Sequence, residues 1–190
     1  MLIKKTAVLL LVILVLVSIV SCKEKEEPAE VSLSSGIGRY SDEGETTLHF
    51  PVKYIHTYRT EMGGDYPLVV EVSSRADLLT YCAENQSIYN FEQSWYSVSF
   101  YDAITEYDEE FFSTRSLLLV LLYAPSESYT HSLKQISKTD SGYSIEVLRF
   151  VPEAATDVEA LWHFIVEVPK DSAVLADVNK IRVSIEEKAK

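Results

Sequence analysis

Eight residues near the middle of the chain constrain the fold more than any others. Ser116–Tyr123 reads Ser-Leu-Leu-Leu-Val-Leu-Leu-Tyr, aliphatic at six consecutive positions. No charge interrupts the run, and no alternation reserves one face for water. A strand of this composition is a central one, covered on both faces. The rest of the domain has to supply apolar surface on two sides of it.

Several segments have the period-two pattern that could do so. Val52, Tyr54, His56 and Tyr58 alternate with Lys53, Ile55, Thr57 and Arg59, as in a half-buried strand. Trp162, Phe164, Val166 and Val168 share one face, with His163, Ile165 and Glu167 on the other. Ile181, Val183 and Ile185 alternate with Arg182, Ser184 and Glu186. Leu68–Val72 is a short β-rich run after the turn-like Met62-Gly63-Gly64-Asp65. Tyr129–Ser137 is a weaker strand, and Asp140-Ser141-Gly142 turns into Tyr143–Phe150.

Helical signals are few. Ser74 is placed to cap a helix, with Asp77 three residues on, and Arg75, Leu78, Leu79 and Cys82 follow helical spacing. A short helix is expected over Glu106–Phe112, with Thr105 as its cap and its acids near the positive end. Successive strands joined by short turns predict an antiparallel meander. The expected fold class is α+β, mainly antiparallel sheet with one or two short helices.

The N-terminus has a different character. Lys4 and Lys5 precede eleven unbroken apolar residues, Ala7–Val17, and Ser18-Ile19-Val20-Ser21-Cys22 follows. A positive start, a short apolar core and a small residue before a cleavage point make a secretory signal peptide. The run is shorter than the ~20 residues of a spanning helix. Ile19-Val20-Ser21-Cys22 resembles the lipobox of bacterial lipoproteins. That resemblance implies a diacylglyceryl thioether on Cys22 and cleavage after Ser21, which tethers the protein to the membrane on its extracytoplasmic face. Lys23–Glu30 is charged and Val31–Gly38 is rich in Ser and Gly, so neither stretch can bury apolar area. The expected organisation is a signal peptide at 1–21, a lipidated flexible tether at 22–38, and one β-rich domain at 39–190.

Charge narrows the partners. The chain has a net charge of −12, and losing Lys4 and Lys5 leaves 15 basic against 29 acidic side chains, or −14. Such a surface excludes nucleic acid, whose phosphates need a basic footprint. It is also repelled by anionic headgroups, so contact with the membrane is expected through the lipid anchor alone.

A longer pattern spans roughly residues 66–170. It comprises Tyr107-Asp108-Glu109-Glu110-Phe111-Phe112, then Ser116–Tyr123, a small-polar loop, Arg149-Phe150-Val151-Pro152, Thr156-Asp157 and Trp162-His163-Phe164-Ile165-Val166-Glu167. It resembles a group of uncharacterised lipoproteins of clostridia-like Firmicutes and, more distantly, the β-rich C-terminal domain of the protease-complex subunit PrcB. The loop after the central strand, often Gly-Ser rich in such proteins, here contains no glycine between Pro125 and His131. Neither resemblance implies catalytic residues.

No motif names a reaction. His49, His56, His131 and His163 form no metal-ligand spacing, and His163 reads as a polar-face residue with Glu167 as its same-face neighbour. Cys82 reads as an inert buried thiol, and lipidation of Cys22 would leave it without a disulfide partner. Asp102, Glu106, Asp108, Glu109 and Glu110 lack a calcium-loop pattern and read as a solvated helix start. No G-x-S-x-G elbow is present, and Gly36-Ile37-Gly38 lies in the tether. No cofactor is implied beyond the lipid on Cys22.

The middle of the chain is dense in aromatics. Trp95, Tyr96, Tyr101 and Tyr107 are the candidates for a stacking platform, with the hydrophobic core as the alternative fate of such rings. The reading is a lipid-anchored envelope protein of binding or accessory type, taking a protein, peptide or glycan partner. The alternatives are an envelope hydrolase with a cryptic carboxylate or histidine site, and a regulator of a protease complex.

Overall fold

The computed structural model describes residues 47–59, 64–93 and 98–190. The lipobox with Cys22, the tether, most of the turn after β2, and the Trp95-Tyr96 pair lie outside them. The described elements begin with β1 (Thr47–Leu48) and β2 (Val52–Arg59). Strand β3 (Leu68–Val72) leads into helix α1 (Arg75–Asn85) and β4 (Tyr89–Asn90). Two single-turn helices, α2 (Phe100–Ala103) and α3 (Phe111–Thr114), precede the long strands. These are β5 (Arg115–Ala124), β6 (Thr130–Thr139), β7 (Gly142–Val151) and β8 (Ala160–Pro169). Two 3-10 turns, Ala173–Ala176 and Val178–Lys180, carry the chain to β9 (Ile181–Ala189).

The strands form two sheets, ordered β3-β5-β8-β2-β4 and β1-β6-β7-β9. The aliphatic run is strand β5, next to the middle of the larger sheet. It pairs with β3 on one side and β8 on the other, with Leu119 opposite both Val70 and Ile165. Its two faces enter two different layers. Leu118, Val120 and Leu122 point toward the smaller sheet with Phe164, Val166 and Val168, and meet Ile136, Ile145 and Val147. Leu117, Leu119 and Leu121 point the other way with Ile165, and meet Leu78, Tyr81, Phe91, Phe100 and Phe112. All six aliphatic side chains are buried, each stabilising by roughly 1.5–3 kcal/mol relative to an exposed position.

The fold is β-rich α+β and mostly antiparallel, but it is not a meander. Strand β8 leaves the smaller sheet to insert between β2 and β5, so β7 cannot hairpin with the strand that follows it. The chain returns through the 3-10 turns and lays β9 parallel to β7, Tyr143 against Ile181 through Val151 against Ala189. Gly142 makes the close approach at the start of this pairing. Its φ is +149°, and a Cβ there would sit 2.5 Å from the Lys180 carbonyl oxygen.

Helix α1 starts as the sequence predicts, with the Ser74 hydroxyl accepting from the Asp77 N–H at 3.0 Å. Its buried stripe is Leu78, Tyr81 and Cys82, at i, i+3 and i+4. Leu79, expected on that face, is 51% exposed, because one residue is about 100° of helical rotation away. Arg75 ties the helix to the aromatic segment, donating to the carbonyls of Ile104 and Tyr107 at 2.9 and 3.1 Å.

The helix expected over Glu106–Phe112 is replaced by the two single turns. Ser99, not Thr105, caps α2, and the Thr105 hydroxyl donates to the Asp102 carbonyl at its C-terminal end. Asp108 accepts from the Phe111 N–H at 2.9 Å and starts α3. The local side-chain acceptors at Ser99 and Asp108 break the segment into two starts where a single helix would need one.

Candidate functional site

Two of the four aromatic candidates can be placed. Tyr101, on α2, is 36% exposed, with its ring 5.7 Å from that of Phe91. Tyr107 is fully buried, and its ring belongs to the core. Its hydroxyl donates to Glu167 Oε1 at 3.3 Å, and the Lys53 ammonium lies 4.8 Å from its ring centre. Burial, with Glu167 and Glu106 nearby, pushes the phenol well above its ordinary range. Trp95 and Tyr96 lie outside the described residues.

His163 is a fully buried polar group with both ring nitrogens in hydrogen-bond contact. The sequence pattern puts it on a polar face; instead it is completely buried, because α1 and the aromatic segment cover that face of the sheet. Its Nδ1 lies 2.8 Å from the Thr57 hydroxyl and its Nε2 2.8 Å from the Tyr81 hydroxyl. A neutral imidazole has one donor and one acceptor nitrogen, and either hydroxyl can play either role, so both tautomers are satisfied. Tyr89 and Phe100 pack at 5.0 Å and Phe91 at 5.8 Å between ring centres. Burial pulls the ring down to about 3, so it stays neutral across the physiological range. Glu167 shares the His163 face, but it bonds to Arg115, at 3.0 Å, and to Tyr107.

A second histidine group closes one end of the layer between the sheets. The Trp162 ring lies 5.4 Å from His56 and 5.3 Å from His131. His131 Nε2 accepts from Arg149 Nε at 3.0 Å, which fixes its proton on Nδ1. The Arg149 guanidinium also donates to the Tyr123 carbonyl and, at 3.3 Å, to Glu187 of β9. Burial and the Arg149 charge pull His131 down to about 3. Burial also lowers His56, outweighing the opposite pull of Glu127. The Nδ1 of His131 and the indole nitrogen of Trp162 are buried without a hydrogen-bond partner among the described residues. Sequence reasoning missed this group because its members come from four strands. The face assignment of Trp162 was the one signal toward it.

The remaining chemistry-bearing groups are quiet. Cys82 is buried, and burial pushes its thiol up to about 11, leaving little thiolate. Among the described residues, no three His, Cys, Asp or Glu side chains gather as a metal site.

What the fold does present is a long open edge. Among the described residues the four edge strands are β1, β3, β4 and β9, of two, five, two and nine residues. Among the described residues strand β9 is bonded on one side only, to β7, so alternate N–H and C=O groups along it point outward. Arg182, Ser184, Glu186, Glu187 and Lys188 are exposed along this strand, while Val183 and Ile185 are half-buried at the rim of the inter-sheet layer. Ion pairs brace it from within the sheet, with Lys134 3.0 Å from Glu186 and Arg149 3.3 Å from Glu187. An edge held straight by its own sheet and open on the other side can accept a further strand. Among known protein families, curated proteins and solved structures, the chain has no match.

Proposed function

We propose that the chain is a lipid-anchored binding or accessory protein of the cell envelope. It is held at the extracytoplasmic face through Cys22 and takes a protein or peptide partner by strand addition along β9. The observation that carries the binding part is the nine-residue edge of β9, open among the described residues. A partner strand would satisfy its outward backbone groups and cover Val183 and Ile185. The enclosure of His163, with both nitrogens bonded to hydroxyls, supports binding over the hydrolase alternative. The anchor rests on the lipobox motif Ile19-Val20-Ser21-Cys22.

The test is hydrogen exchange on the full chain with and without envelope extract. Strand addition slows exchange at alternate amides of β9. Exchange at those amides as fast as at an unpaired edge in both samples counts against the binding reading. Cys22→Ala should abolish labelling by a radioactive fatty acid, and unchanged labelling would remove the anchor.

A further inference from the structure

We propose that the strand added to β9 is β9 of a second copy, antiparallel and centred on Ser184, so that two four-stranded sheets join into one continuous sheet. This rests on the strand-addition reading and names its partner. The argument is one of register. A two-fold axis perpendicular to the sheet keeps the Val183/Ile185 face of both copies on the same side, so the axis must pass through a residue pair of like facing. Centred on Ser184, the pairing sets Arg182 against Glu186 of the second copy, twice by symmetry. It also sets Val183 against Ile185, again twice, with Ile181 opposite Glu187 at the two ends. Opposite charges and β-branched pairs directly across strands are the pairs that stabilise antiparallel sheet.

The neighbouring registers are worse. Centring on Ile185 sets two like charges, Arg182 and Lys188, against each other. Centring on Glu186 sets the two Glu186 side chains against each other. Centring on Val183 leaves Arg182 opposite Ser184. The surface agrees with the favoured register. Arg182 is exposed and meets no carboxylate among the described residues, although its neighbours along β9 are paired. Val183 and Ile185 are half-buried at the rim, where a second copy would complete their burial. Charges along an edge ordinarily discourage pairing. Here Arg182 and Glu186 are spaced four residues apart with opposite sign, so in this register they attract a copy instead.

The experiment follows the mass of the full chain in mild detergent by light scattering across a dilution series. The expected result is a concentration-dependent dimer. Arg182→Glu places two glutamates opposite each other, and Glu186→Arg places two arginines, so each variant alone should associate about tenfold more weakly or less. The two variants mixed restore both opposite-charge pairs and should dimerise with each other, which a folding defect in either would not allow. Ser184→Cys should give an intermolecular disulfide between the two substituted positions on mild oxidation, identified by mass spectrometry of the linked peptide. A monomer at all concentrations, or a dimer indifferent to both charge reversals and lacking that disulfide, overturns the proposal. In either case, slowed exchange of β9 amides with envelope extract would assign the edge to a different protein, whereas unslowed exchange would remove the strand-addition reading as well.

Discussion

Lowering the pH from about 6 to about 5 should destabilise the fold through its buried neutral histidines, and His163→Phe should remove one ring's share. His163 is pulled from 6.5 to about 3 by burial. His131 is pulled equally far by burial and Arg149. His56 is lowered as well. In the unfolded chain each ring takes up a proton near its ordinary value. In the folded chain His163 and His131 do so only near pH 3. The unfolded state therefore holds more protons throughout that window, and stability is lost as pH falls from about 6.5 toward 3. Over the single unit from pH 6 to pH 5 the loss is about 1.2 kcal/mol per ring, hence about 2.4 kcal/mol for His163 and His131 together. Asp77, Glu146 and Glu186 are held below the usual carboxylate range, chiefly by side-chain hydrogen bonds, and add a loss of the same sign. That loss falls nearer pH 4, outside the interval. Urea unfolding at the two pH values gives the stability change directly when the slope m is constant. Phenylalanine suits a site lined by Tyr89, Phe91 and Phe100, yet it strips Thr57 and Tyr81 of a partner, so the variant is less stable at both pH values. The pH dependence is the readout, and the variant should lose about 1.2 kcal/mol less than the parent. An identical pH dependence would refute the account of His163 as a neutral core group.

Three further outcomes follow from single side chains. Tyr81→Phe leaves one His163 nitrogen without its hydroxyl partner at nearly constant volume, and should cost about 1–3 kcal/mol in urea unfolding at neutral pH. Ser137→Ala removes a buried hydroxyl that finds no partner among the described residues, so stability should hold or rise by up to about 1 kcal/mol, read as an unchanged or higher melting temperature. Gly142→Ala forces a side chain into a left-handed conformation and against the Lys180 carbonyl, and should cost at least about 2 kcal/mol, read as a lower urea midpoint.

Local patterns in the sequence carried much of the fold. The two-faced burial of Leu117–Leu122, the bounds of Leu68–Val72, the alternation around Phe164 and the Ser74 cap all depend on neighbours a few residues away, and all four are found. Partnership between distant elements was not legible. Nothing in Ile181–Ile185 tells that β9 will run parallel to β7, because that depends on which sheet receives β8. His163 was placed on the correct strand face, but whether that face meets water depends on α1, whose Tyr81 lies 82 residues earlier. The group around Trp162 is assembled from four strands and leaves no spacing to detect. Thr105 was read as the helix start, and that Ser99 and Asp108 take the starts instead was not legible. The edge of β9 has the same limitation, since a strand's position in a sheet is a property of its neighbours.

The parallel pairing of β7 with β9 also governs the order in which the molecule can be completed. The other long strands find their partners through antiparallel pairing, whereas β7 waits for a second neighbour, nine residues that follow the whole of β8 and both 3-10 turns. Closing the pair spans 38 residues from Tyr143 to Ile181, a loop entropy cost that comes before any contact rewards it. Until residues 181–189 dock, β7 is itself the open edge, with Ile145 and Val147 on the face that β9 later completes. A chain interrupted before Ile181 would present that long, more apolar strand to its neighbours as a template for aggregation. The charged C-terminal strand thus acts as the guard of the sheet, and its late arrival sets the interval over which a newly made chain needs protection.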